Sequence, residues 1–193
     1  MSVVEEFVSG RVTLQALRAP DICRDDVLSR FTHLVSTTLD VPSSFISVLD
    51  DDLQYIKAAH NFVVAESVRA DSICQYVFEG DTPLVINDTQ QDSCFATNPF
   101  VMGAPFVRFY AGVPLTSQEG KVLGTLCVVD NQPREFSEEK LATLTLLSQL
   151  VISFLEAWHS VGYTDLVTGL PNRQQLLRDL QTLRAVRGSQ THR

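Results

Sequence analysis

The stretch "FVRFYAGVPLTSQEGKVLGTLCVVD", Phe106–Asp130, decides the fold. Two β-rich runs, FVRFYAGVPLTS and KVLGTLCVVD, flank a short QEGK in which Gly120 suits the positive φ of a hairpin turn. The segment that follows, NQPREFSEEK, turns into a long helix. Ser137 is a good N-cap, and Glu138 and Glu139 suit the positive end of a helix dipole. No Gly or Pro interrupts the run from Ser137 to about Ser160.

Within that helix Leu144, Leu147, Val151, Phe154, Trp158 and Val161 step by three and four, which is a heptad seam. Leu141, Leu146, Leu150 and Leu155 lie largely outside it. Two stripes predict that one packs on the sheet while the other meets a partner helix. The alternative is a single broad buried face. A stripe containing Phe154 and Trp158 is costly to leave in water, so the heptad seam is assigned to a homodimer through the terminal helices.

Working outward, Asp21 can cap a helix in which Ile22, Val27, Leu28, Phe31, Leu34, Val35 and Leu39 recur at helical spacing. Val41-Pro42 ends it. SSFISVLD and LQYIKAAH read as strands joined by the acidic turn DDD. SICQYVFEG is a short helix with Ser72 as cap and Gly80 at its end. TPLVINDT holds a buried strand, and QQDSCFATNPFVMGAP is a long loop of the kind that lines binding sites. The expected fold class is α+β: an antiparallel sheet of about five or six strands with the N- and C-terminal helices on one face. Residues 1–20 form an N-terminal segment, 21–160 the domain with its long helix, and 161–193 the start of something further.

Composition excludes several functions. The chain has 193 residues and a net charge of −8, so it lacks the basic face that phosphate backbones and anionic lipid require. Nucleic acid and membrane are not expected partners. The N-terminus has no basic region followed by an apolar core, as a signal peptide would, and no window approaches roughly 18 unbroken apolar residues. The four cysteines, Cys23, Cys74, Cys94 and Cys127, include no C-x-x-C pair. They read as free thiols of a cytoplasmic protein. There is no Gly-rich phosphate loop, G-x-S-x-G elbow or H-E-x-x-H. The four histidines are far apart, and no metal site is expected.

Two resemblances organise these readings. SICQYVFEGDTPLVINDT, DSCFATNPFV, VRFYAGVPLTSQEGKVLGTLCVVD and PREFSEEKLATLTLLSQLV resemble a GAF domain, a small-molecule sensor module, over about Asp21 to Ser160. TDLVTGLPNR, residues 164–173, resembles the opening of a GGDEF domain, the module that makes cyclic di-GMP from GTP. Asp165, Thr168, Asn172 and Arg173 match the polar positions of that wide entry turn. Leu176, Leu177, Leu180 and Leu183 then form one face of a helix. The family's metal-holding carboxylates lie in an F-K-x-x-N-D stretch and in the GG(D/E)EF loop, and neither occurs here. No cyclase chemistry is expected from these residues, whereas a longer parent would be a diguanylate cyclase.

The GAF resemblance implies a ligand pocket over the free face of the sheet. By position its lining is Phe45, Ser47, Tyr55, Cys74, Asp88, Phe95, Asn98, Arg108, Tyr110 and Cys127. Alternation puts Phe106, Arg108 and Tyr110 on one face of a strand. Arg108 either clamps a carboxylate or phosphate or pairs with Asp88 or Asp92 and pins the long loop. Cys74 and Cys127 are either a redox pair or small hydrophobes, the commoner fate of buried Cys. The bilin-binding Cys-His pattern and the N-K-x-F-D pattern of cyclic-nucleotide-binding GAF domains are both missing. Neither the ligand nor a cofactor is named. The expected function is a small-molecule-sensing regulatory domain of a GAF-GGDEF protein in cyclic di-GMP signalling. The alternatives are a Cys-based free-methionine sulfoxide reductase and a ligand-free structural dimerisation module.

Overall fold

The computed structural model describes residues 14–163, with the side chains of 161–163 excepted. The entry-turn residues Asp165, Thr168, Asn172 and Arg173, and the leucines after them, lie outside the described residues, as does the side chain of Val161. One compact unit ends at Ser153, and Phe154–Tyr163 belong to a second.

The elements run α1 (Leu14–Arg18), α2 (Ile22–Leu39), β1 (Ser43–Leu49), β2 (Leu53–His60), β3 (Glu66–Val68), α3 (Cys74–Gly80), β4 (Leu84–Ile86), α4 (Pro99–Met102), β5 (Phe109–Thr116), β6 (Val122–Asp130) and α5 (Glu138–Tyr163). The six strands form one sheet in the order β3-β2-β1-β6-β5-β4, with every neighbouring pair antiparallel. The α+β reading holds: one six-stranded antiparallel sheet with helices against it.

Local chemistry sets these boundaries. The Asp21 carboxylate accepts from the Arg24 N–H at 3.1 Å and so caps α2. At the other end Asp40 takes a left-handed φ of 54° and returns its N–H to the Ser36 carbonyl. Asp50 accepts from the backbone N–H groups of Asp52 and Leu53, which closes the acidic turn between β1 and β2. The β5–β6 turn places Gly120 at φ 78°. Ser137 caps α5 by accepting from the Lys140 N–H at 3.2 Å.

Each side of the sheet carries its own core. On the helical side α2 contacts β1 and β2 and buries Leu28, Val35 and Leu39. Ser36 donates to Ser44 of β1 at 2.9 Å, and the Ser44 hydroxyl donates in turn to the Thr32 carbonyl. This buried pair fixes the helix on the strand. Arg24 is buried because its guanidinium donates to the carbonyls of Ala16, Leu17 and Ala19. Those bonds hold α1, which lies within what the sequence reading assigns only as an N-terminal segment, residues 1–20.

Burial of α5 corrects the expected seam. Leu144 and Val151 are fully buried and Leu147 is 8 % exposed, all within the single chain. They belong to the fold's own core and cannot meet a partner helix. The open positions are Leu146 and Leu150, 61 % and 56 % exposed, whereas Leu155 of the same stripe is buried. In the second unit the Phe154 and Trp158 rings lie 5.8 Å apart. By length and composition α5 would be long enough to cross a membrane. About a third of its apolar window is buried, on the Leu144-Leu147-Val151 face.

Candidate functional site

The face of the sheet opposite α2 is covered by α3, which contacts β6, β5 and β1. Here Phe45 and Leu49 of β1, Ile73, Cys74 and Val77 of the α3 region, Tyr110 of β5 and Cys127 and Val129 of β6 form one cluster. Alternation along the strands supplies it: residues of odd number on β1 and β6 and even number on β5 point this way. Gly112 lets the Tyr110 ring lie flat along its own strand, because a Cβ there would overlap the Tyr110 hydroxyl.

At the middle of this face is a chain of buried polar groups. Ser47 and Thr125 hydroxyls meet at 2.6 Å, and Thr125 meets the Cys127 thiol at 3.1 Å. Tyr110 Oη lies 3.1 Å from Cys127 Sγ and donates to Cys74 Sγ at 3.4 Å. Gln54 Nε2 donates to Cys74 Sγ at 3.3 Å, while Gln54 Oε1 accepts from Ser67 at 3.2 Å. The two sulfurs are 3.5 Å apart.

Ionisation across this cluster is uneven. Burial pushes the Cys74 thiol up, but hydrogen bonds from Cys127, Tyr110, Thr125 and Ser47 outweigh it and bring it down to about 6. Burial pushes Cys127 well up, and a charge on Cys74 adds to that. Tyr110 is raised for the same two reasons, so its phenol stays protonated as a donor.

Beside the network lies a cavity of about 30 Å³ lined by Phe45, Gln54, Phe62, Cys74, Val107 and Tyr110, among others. That is room for water but not for an organic ligand, whose pockets run to several hundred Å³. No carboxylate, guanidinium or ammonium lines it. A second cleft of about 220 Å³ shares Phe62, Val107 and Val129 with the first and runs along Pro42, Asn61 and Asn131. Phe62 stacks on Phe45 with ring centroids 4.4 Å apart. It stands in the partition between the two spaces.

The residues expected at the site separate into three groups. Phe45, Cys74 and Tyr110 line the cavity, and Ser47, Phe95 and Cys127 are buried in or beside the same cluster. Asn98 caps α4 through the Phe100 N–H and donates to the Asp71 carbonyl at 2.8 Å, so it ties two loops together. Tyr55, Asp88 and Arg108 are elsewhere. Tyr55 is on the helical face, where Arg18 lies 4.2 Å above its ring and donates to its hydroxyl. Arg108 is held by Asp88 through two bonds and is no ligand clamp. Phe106 precedes β5 with a φ of 57° and is exposed, which breaks the expected alternation of Phe106, Arg108 and Tyr110.

Sequence reasoning missed Gln54, Ile56, Phe62 and Ser67. Strand register would have supplied the first two: Ser47 pairs with Ile56 and Val48 with Tyr55, so if Ser47 faces the cavity, Tyr55 cannot. The registration is irregular here, with Ile46 opposite Ala58 and Lys57 bulged out between partners.

A six-stranded antiparallel sheet with α2 on one face and α3 over the other defines the α+β architecture. The chain belongs to the GAF domain family, whose pattern matches residues 24–153. It is 35 % identical over 157 residues to a cyclic di-GMP phosphodiesterase of Pseudomonas aeruginosa, covering 81 % of this chain and 27 % of that protein. It is 27 % identical over 183 residues to the diguanylate cyclase DgcP of Escherichia coli, covering 82 % of this chain and 52 % of DgcP. The chain thus spans about half or less of these relatives. Among solved structures it resembles the GAF domain of an Acinetobacter phosphoenolpyruvate-protein phosphotransferase (TM-score 0.58, 20 % identity, 82 % of this chain and 91 % of that one). A free methionine-R-sulfoxide reductase of Neisseria meningitidis has the same fold (TM-score 0.58, 14 % identity, 81 % and 94 %).

Proposed function

We propose that this GAF domain is the small-molecule-sensing regulatory part of a cyclic di-GMP signalling protein, and that its parent is a diguanylate cyclase. The observation that carries the first half is the pair of relatives, matched over four-fifths of the chain and both named for cyclic di-GMP turnover. The cyclase half rests on TDLVTGLPNR at residues 164–173 and on DgcP.

The cavity supports sensing of a particular kind. Its lining offers an amide, hydroxyls and the Cys74 sulfur but no cationic side chain, so an anionic ligand would be buried without a counter-charge, at a cost of several kcal/mol or more. The ligand is therefore a small molecule without negative charge, largely apolar, with one group that bonds to Tyr110 or Gln54. Entry requires Phe62 to leave Phe45 and join the smaller space to the second cleft.

Transmission follows α5. Two copies pair through the open Leu146–Leu150 stripe, and a change at the sheet alters the register or crossing of the two helices. Native mass spectrometry of the purified chain tests this reading. A dimer that retains a reproducible extra mass supports a sensor. A dimer of bare chain mass, unchanged by a screen of metabolites without negative charge, puts the structural dimerisation module ahead.

A further inference from the structure

We propose that Cys74 and Cys127 are a modification site: a thiol pair that a hydroperoxide converts reversibly into a disulfide. This stands apart from the ligand reading above and needs no ligand.

Position comes first. The two cysteines are 53 residues apart in sequence, one opening α3 and the other in the middle of β6, yet their sulfurs are 3.5 Å apart with both thiols free. A disulfide needs about 2.05 Å, so each sulfur has to move only about 0.7 Å. Cys23 and Cys94 are exposed and provide ordinary thiols for comparison.

Access and activation differ between the two. Cys74 lines the cavity of about 30 Å³ and Cys127 does not. A space of that size takes water-sized molecules, and hydrogen peroxide has only two heavy atoms. Gln54 Nε2 and Tyr110 Oη donate to Cys74 Sγ, which favours its thiolate, in line with its lowered pKa. A peroxide entering the cavity meets the activated sulfur first. The second thiol stands directly behind it, the arrangement that turns an oxidised cysteine into a disulfide before further oxidation.

The chemistry balances with one peroxide. The Cys74 thiolate attacks one oxygen of H₂O₂, the O–O bond breaks, and the leaving hydroxide takes up the proton the thiol gave up, departing as water. Cys74 is then a sulfenic acid. Cys127 Sγ attacks that sulfur, the S–O bond breaks, and the leaving hydroxide takes the Cys127 proton as a second water. Two thiols and one peroxide give one disulfide and two waters, with two electrons passing from sulfur to oxygen. A dithiol reverses the change by exchange. The bond would tie α3 to β6 and displace the Tyr110 hydroxyl from both sulfurs.

The competing role for both residues is that of small core hydrophobes. The full chain is treated with hydrogen peroxide at equimolar ratio, quenched with catalase, denatured in iodoacetamide and mapped by peptide mass spectrometry. The expected result is loss of alkylation at Cys74 and Cys127 together, a joined peptide pair, and recovery of both with dithiothreitol, before Cys23 and Cys94 are consumed. If Cys74 and Cys127 stay fully alkylatable while Cys23 or Cys94 is oxidised, the proposal fails. Repeating the map on the Cys23→Ser/Cys94→Ser chain excludes scrambling, because loss of the joined pair there would overturn it too. In Cys127→Ser, which keeps a hydrogen-bond donor beside Cys74 but cannot close a disulfide, the sulfenic acid should persist and take a dimedone adduct at Cys74, and its absence would count against the mechanism.

Discussion

The guanidinium of Arg108 grips the carboxylate of Asp88 through two parallel bonds, Nε to Oδ1 at 3.0 Å and Nη2 to Oδ2 at 2.9 Å. Asp88 also caps the short turn Thr89–Gln91 through the Gln90 N–H, and Arg108 takes the Asp130 carbonyl through its own N–H. One ion pair therefore joins the long loop after β4 to the start of β5. A planar fork matched to a carboxylate serves that purpose. A ligand offered to Arg108 would first have to displace Asp88.

The hydrogen bonds from Arg108 hold the Asp88 carboxyl below its usual range, against a smaller upward push from burial. A depressed carboxylate stabilises the fold above the unfolded pKa of about 3.9, and that contribution disappears as pH falls through the lower folded value. Asp88→Asn should therefore lower stability at neutral pH, with the difference from wild type closing below about pH 4. Urea unfolding at pH 7 and pH 3.5 checks this. Arg108→Lys should resemble Arg108→Ala, because an ammonium cannot make the two-point grip. Full rescue by Lys would mean that charge alone matters.

Phe62→Ala should open the smaller cavity. The stack on Phe45 is an aromatic pair of about 1 kcal/mol beyond its buried area, so removing it raises the open population about fivefold. Iodoacetamide labelling of Cys74 in the folded protein should rise by that factor, with Cys23 as an unchanged reference. Equal rates in the two proteins would move the entrance away from Phe62.

The sheet was legible because its strands are dense in β-branched and aromatic residues and its turns carry Gly120 and the Asp50–Asp52 run. The helix caps at Asp21 and Ser137 were legible for the same local reason. The site was only partly so. Phe45 and Tyr110 on strands and Cys74 at the start of α3 were placed by position from the family resemblance, whereas Tyr55 was misplaced because its face depends on pairing with β1 across the irregularity at Lys57. Phe62 lies in a connection after β2 and has no periodic signal at all. The helix stripes of α5 were recognised as two, but which one faces the sheet is a rotation that spacing cannot give.

Free methionine sulfoxide should not be turned over. It carries an ammonium and a carboxylate, and the cavity beside Cys74 has no charged side chain to receive either. Arg108 is already committed to Asp88. Incubation with methionine sulfoxide and dithiothreitol, followed by amino-acid analysis, should yield no methionine above the protein-free control. Catalytic release of methionine would make this chain an enzyme and require that the cavity open to a charged surface.

The two stripes of α5 give opposite outcomes under substitution. Leu144 is fully buried, so Leu144→Ala should cost about 2–5 kcal/mol of folding stability through lost burial and the cavity left behind. Leu146 and Leu150 are 61 % and 56 % exposed, so replacing both with Asp should leave the monomer's stability within about 0.5 kcal/mol. Across a paired-helix interface the same change places carboxylates against each other in an apolar seam, which is strongly unfavourable. Light scattering of Leu146→Asp/Leu150→Asp should then report a monomer with a wild-type unfolding curve after correction for dimer linkage. A dimer that survives this pair of changes would show that α5 does not supply the interface, and register shifts along it could not carry the signal.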